Sequence, residues 1–120
     1  MIQSTCNHGI IINALHAKLQ NRGLNTANDR QRDLFTYDNA GYMKSLFELK
    51  TDLSNTNIYI AVGQLMIHGA GQAPPPKRVL VVPGKPEKET AKSLQDLSIQ
   101  VVSYKWDNGP VHFEGIDDIL

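Results

Sequence analysis

The run LFELKTD, residues 46–52, places a carboxylate at Glu48 and an ammonium at Lys50 two positions apart, with apolar Phe47 and Leu49 interleaved. On a strand, residues two apart project from one side, so Glu48 and Lys50 share a side and Phe47 and Leu49 share the other. The apolar side reads as core. The charged side reads as a site or as a solvated surface, depending on whether a second carboxylate comes near. Asp33, fifteen residues upstream, is the candidate. Two carboxylates that converge can share a divalent cation, and an oxygen-rich site with few protein ligands suits Mg²⁺.

The elements around these residues decide whether they meet. Residues 33–37 (DLFTY) and 43–51 (MKSLFELKT) read as strands, and Asp38-Asn39-Ala40-Gly41 supplies the turn of a hairpin. A turn that sets Tyr37 opposite Tyr42 also sets Asp33 opposite Leu46, one diagonal step from Glu48, about 7–8 Å away at the backbone. Opposed residues share a face, so Asp33, Glu48 and Lys50 are expected on one side of the sheet. A change of one residue in the turn would reverse that parity.

Ile11, Ile12, Leu15 and Leu19 recur at helical spacing within 6–22, with Ser4 or Thr5 available as N-cap and Gly23 placed to end the helix. His8 falls on the same stripe and is expected to point at the sheet. A second helix is expected over 58–68, ending at Gly69, with Gln64 and His68 one turn apart on one face. Residues 24–27 read as a short strand, RVLVV (78–82) as a strand covered on both sides, 88–97 as a helix, 100–106 as a strand and 111–113 as a short strand. Strand, helix, strand over that distance implies a parallel pair. The expectation is one α/β domain over residues 1–120, a mixed central sheet flanked by helices. Asp33, Glu48, Lys50, Gln64 and His8 are expected to converge over one region of it.

That ordered set, Asp33 opening a strand in RDLF, a hairpin, Glu48-Leu49-Lys50 in FELK, then Gln64 in AVGQLMIH, resembles the PD-(D/E)xK nuclease superfamily with its restriction-endonuclease-like fold. It is similar in particular to the exonuclease-like branch, in which a QxxxY helix follows the ExK strand. The likeness spans roughly residues 6–106. It implies that Asp33 and Glu48 ligate Mg²⁺ with the Leu49 backbone carbonyl, that Lys50 is the motif lysine and that Gln64 is the motif glutamine. It implies a metal-dependent nuclease, with DNA ahead of RNA as substrate and endonuclease action expected. The chain departs from the pattern at Arg32, where the motif has proline, at His68, where it has tyrosine, and at His8, where many members carry a glutamate. An imidazole there is a weaker Mg²⁺ ligand than a carboxylate, but it can bind Mn²⁺ or orient a phosphate or water.

Composition sets the frame. Twelve basic and twelve acidic residues cancel, so no global field draws in a polyanion, and a nuclease here would need cations supplied locally. The single cysteine, Cys6, cannot staple the fold and fits a reducing compartment. The opening MIQSTCNHGIII lacks the basic start and apolar run of a secretory signal, and an intracellular location without a membrane span is expected. Helical periodicity close to Met1 fits a domain cut from a longer chain as well as a free-standing one. A chain of this length has little room for a recognition element, which leaves specificity to a dimer or an additional domain.

Taken singly, each candidate has a plainer reading. ExK on a strand is usually a solvated face, Asp33 a turn residue, His8 a hydrogen-bonded core histidine, and Gln64 and His68 surface residues. PPPKR at 74–78 is ordinarily a loop. The rival function is a non-catalytic nucleic-acid-binding or structural domain that keeps the fold. A different α/β enzyme would ordinarily show GxxxxGK[ST], GxGxxG or GxSxG, and zinc would call for CxxC or HExxH; the chain has none of these.

Overall fold

A computed structural model of the chain describes residues 2–28 and 34–119, with side chains from residue 7 onward. Its elements are α1 (Ile2–Asn21), β1 (Asn25–Ala27), β2 (Leu34–Tyr37), β3 (Met43–Leu49), α2 (Asn55–His68), β4 (Lys77–Val82), α3 (Lys88–Asp96), β5 (Ile99–Lys105) and β6 (His112–Glu114). The strands form one six-stranded sheet in sequence order. β3, β4 and β5 run parallel, while β1–β2, β2–β3 and β5–β6 are antiparallel. The fold is a mixed α/β sheet with helices, as the strand and helix patterns lead one to expect.

Helix ends follow local chemistry. α1 stops where Gly23 takes φ +78°, a left-handed conformation that costs glycine little. Gly23 N–H donates to Gln20 O and Leu24 N–H to Leu19 O, the paired bonds of a Schellman end. At its other end α1 begins at Ile2, so Ser4 and Thr5 lie inside the helix and are not its caps. α2 begins at Asn55, three residues ahead of the first apolar residue of its stripe. Ser54 caps it, its hydroxyl accepting from Asn57 N–H at 3.2 Å.

Two cores sandwich the sheet. α1 lays Ile11, Leu15 and Leu19 against Phe47, Leu49, Val79, Val81 and Val102. α2 and α3 lay Ala61, Leu65 and Leu94 against Leu46, Leu80, Val82 and Ile99. Alternate residues of β3 and β4 therefore enter different cores, which is why RVLVV carries no polar residue between Val79 and Val82.

The hairpin differs from the expected register in two places. Its turn is closed by Asp38, whose carboxylate accepts from Ala40 N–H at 3.0 Å and Tyr42 N–H at 2.9 Å, with Gly41 at φ +89°. This sets Tyr37 opposite Met43 instead of Tyr42, and a bulge then leaves Lys44 unpaired, so Thr36 faces Ser45 and Leu34 faces Phe47. The two single-residue slips cancel in parity. Phe35 pairs with Leu46, so odd positions of β2 share a side with even positions of this part of β3, as the shorter turn had also implied. The bulge also turns Met43 into the α2-side core although it is odd-numbered.

Candidate active site

Glu48 is buried to 2% exposure, near the end of β3. It pairs in register with Leu80 of β4, and paired residues share a face, so its side chain enters the core under α2. The expectation that this position is a solvated face therefore fails. A carboxylate in a dry core needs partners or an ion to offset its lost hydration, which makes Glu48 the most informative polar residue in the chain.

α2 supplies Gln64 on that same side. It is half-buried and flanks the Ala61–Leu65 stripe that meets Leu46 and Leu80. Its Oε1 is buried and has no hydrogen-bond partner among the described residues. The surface reading of Gln64 fails as well, since an orphaned buried amide oxygen is a cost a solvated glutamine would not carry. His68, one turn on, is half-buried at the C-terminal end of α2. That end lies over the start of β4, where Arg78 Nε donates to Leu65 O at 3.0 Å, so His68 is set back from Lys50.

Lys50 follows β3 directly, and its backbone N–H continues the ladder by donating to Val81 O at 3.0 Å. Its side chain is half-buried, and its ammonium acts on Asp52. The Asp52 carboxyl is held below its ordinary range, first by Ser54 N–H, then by the Ser54 hydroxyl and the Asn57 amide, with Lys50 a smaller contribution. Ser54 N–H lies 2.9 Å and Asn57 Nδ2 2.8 Å from Asp52 Oδ1. Leu49 offers only its backbone, because its side chain is buried against α1.

His8 corrects the expectation of a single face. α1 packs on the Phe47 and Leu49 side, opposite α2, so His8 and Gln64 approach the sheet from different layers. They share an end of the sheet. Asn7 and Ile11 line a cleft together with Thr51, Pro83 and Trp106, which places the first turns of α1 at the C-terminal ends of β3, β4 and β5. His8 is half-buried at this end. Asp33 and Arg32 lie outside the described residues, as does the Cys6 side chain.

Sequence patterning missed Tyr104. It is 6% exposed in the α1-side core, and its hydroxyl donates to Lys50 O at 3.4 Å. Burial, and after it the Asp52 carboxylate, pushes the phenol up to about 12. YKW reads as the end of a strand, and no local signal gives a contact 54 residues away.

The donors facing this region, the Glu48 carboxylate and the buried Gln64 amide oxygen, are hard oxygens of the kind Mg²⁺ takes. Among the described residues, no group of three histidine, cysteine or acidic side chains is placed to hold a metal ion. Among them also, no helix is long and apolar enough to cross a membrane. No protein-family model, curated protein or solved structure matches the chain.

Proposed function

We propose that this chain is a metal-dependent nuclease that hydrolyses phosphodiester bonds, of DNA ahead of RNA, with the PD-(D/E)xK constellation as its site. The observation that carries this reading is Glu48: a carboxylate at 2% exposure, two residues from a half-buried lysine, on the side of the sheet covered by a helix whose Gln64 amide oxygen is buried without a hydrogen-bond partner among the described residues. Asp33, the residue directly before β2, is the second carboxylate the reading requires. Mg²⁺ held by Asp33, Glu48 and the Leu49 carbonyl would supply the Lewis acidity that activates water and offsets phosphate charge. Lys50 orients the attacking water or meets the negative charge that grows on the phosphate oxygens. Gln64 positions Lys50 or a phosphate oxygen and takes no part in proton transfer. Such a site brings its own cations, which suits a chain without net charge.

The test is cleavage of supercoiled plasmid, linear DNA and structured RNA with Mg²⁺, Mn²⁺ or EDTA, beside Glu48→Gln and Lys50→Ala proteins of verified fold. The expected outcome is cutting that EDTA stops and that each substitution lowers about a hundredfold or more. No cutting of any substrate, together with calorimetry that shows no Mg²⁺ or Mn²⁺ binding dependent on Asp33 and Glu48, would leave the rival, a non-catalytic domain of this fold.

A further inference from the structure

The cleft of about 540 Å³ at the C-terminal ends of the parallel strands lies beside the candidate site and is not used by it. It adjoins Lys50 in two ways. Thr51, next to Lys50, is part of its wall, and so is Tyr104, whose hydroxyl is bonded to the Lys50 carbonyl. It is an open cleft whose volume is in the range of small-ligand sites, and its lining combines aromatic and polar groups. Trp106, half-buried against the α1-side core, supplies the accessible aromatic surface over the buried Tyr104, Asn7 supplies an amide that can both donate and accept, and His112 stands paired across from Lys105 at the rim. The acidic group in this wall is Asp107.

We infer that this cleft takes an unstacked nucleobase of a single strand, the nucleotide next to the bond cut at Glu48 and Lys50. The inference rests on the nuclease reading for its substrate class. A base within a duplex must first be unstacked and extruded to enter such a cleft, a cost that a single-stranded or frayed end does not carry. Stacking on an aromatic ring is tolerant of sequence because every base has a π-face. His112 and the exposed Lys105, whose ammonium lies 3.8 Å from Glu114 Oε1, stand at the rim where the backbone that such a base brings with it would pass. A single-stranded stretch or a duplex with an open end is therefore preferred over a closed duplex, without strong sequence preference.

Trp106 is the only tryptophan in the chain, so its fluorescence reports this cleft alone. The experiment titrates the whole protein in EDTA with a labelled oligothymidylate of about ten nucleotides and with a blunt hairpin duplex, following tryptophan emission and label anisotropy. Expected are quenching that tracks binding of the single strand, weaker binding of the closed duplex, an affinity loss of about tenfold in Trp106→Leu, and retention in Trp106→Phe. His112→Ala, at an exposed position, is expected to weaken binding about threefold with the fold intact. Binding without quenching, equal affinity for the closed duplex, or equal affinity of all variants would overturn the inference. Because EDTA removes cleavage from the experiment, a protein that binds and quenches yet cuts nothing keeps the cleft and loses the nuclease reading. One that cuts but never quenches does the reverse.

Discussion

The two sides of the sheet are built from the same parallel strands but obey different rules. On the α1 side, β3 and β4 contribute Phe47, Leu49, Val79 and Val81, and no charged residue stands among them. On the α2 side the paired positions Glu48 and Leu80 sit next to each other in the ladder, equally deep, one a carboxylate and the other a hydrocarbon. Packing alone would fill both with leucine. Burying a carboxylate costs several kcal/mol of hydration that its partners must offset, whereas a hydrocarbon at the same depth carries no such cost, so packing alone does not account for Glu48. Sites are where local rules are broken in this way.

Leu80→Glu gives the hardest test of that contrast. If the α2 side is a dry core with one specialised position, a second carboxylate beside Glu48 should cost more than about 4 kcal/mol, seen as loss of the cooperative urea transition. Stability near that of the parent would mean the α2 side is wet and the burial of Glu48 unremarkable.

The α1 side has its own polar group, and alkali probes it. The Tyr104 phenol ionises at about 12 in the folded chain against an ordinary 10.0. A raised folded value means that the folded state holds the proton longer, so the stabilisation is complete below pH 10 and is lost as pH rises towards 12. The loss should be on the order of 2 kcal/mol or less. Tyr104→Phe should flatten stability between these pH values in denaturant titrations. An alkaline loss that persists unchanged in Tyr104→Phe would assign it to another group.

Much of this arrangement was legible in the residues. The Ile11, Leu15, Leu19 stripe and Gly23 define α1, and the apolar run 79–82 defines a strand buried on both sides, because helical and strand periods report how much of an element is covered. They do not report which side of a sheet an element covers, so His8 and Gln64 were expected over one face although their helices lie in opposite layers. The bulge at Lys44 leaves no mark in composition, and the correct parity of β2 and β3 came from two slips that cancel. Ser54 and Asp52 sat in a loop rich in cap-forming residues, but only the fold shows that Lys50 stands close enough to act on Asp52.

Glu48→Gln carries the smallest expected effect on stability and separates two explanations of the buried carboxylate. Glutamine keeps the shape and one acceptor oxygen and removes the charge. If Glu48 serves a site, its buried charge lowers the stability of the metal-free protein, and in EDTA the variant should gain about 1 kcal/mol in urea unfolding. Added Mg²⁺ should then stabilise the parent and leave the variant unmoved, because an ion that binds the folded state shifts unfolding by mass action. A structural ion pair gives the opposite sign. Removing one partner of such a pair strands the other and costs about 3–5 kcal/mol, with no response to Mg²⁺ in either protein. The sign of a single unfolding difference thus decides whether the carboxylate beside Leu80 holds the fold together or is held in place by it.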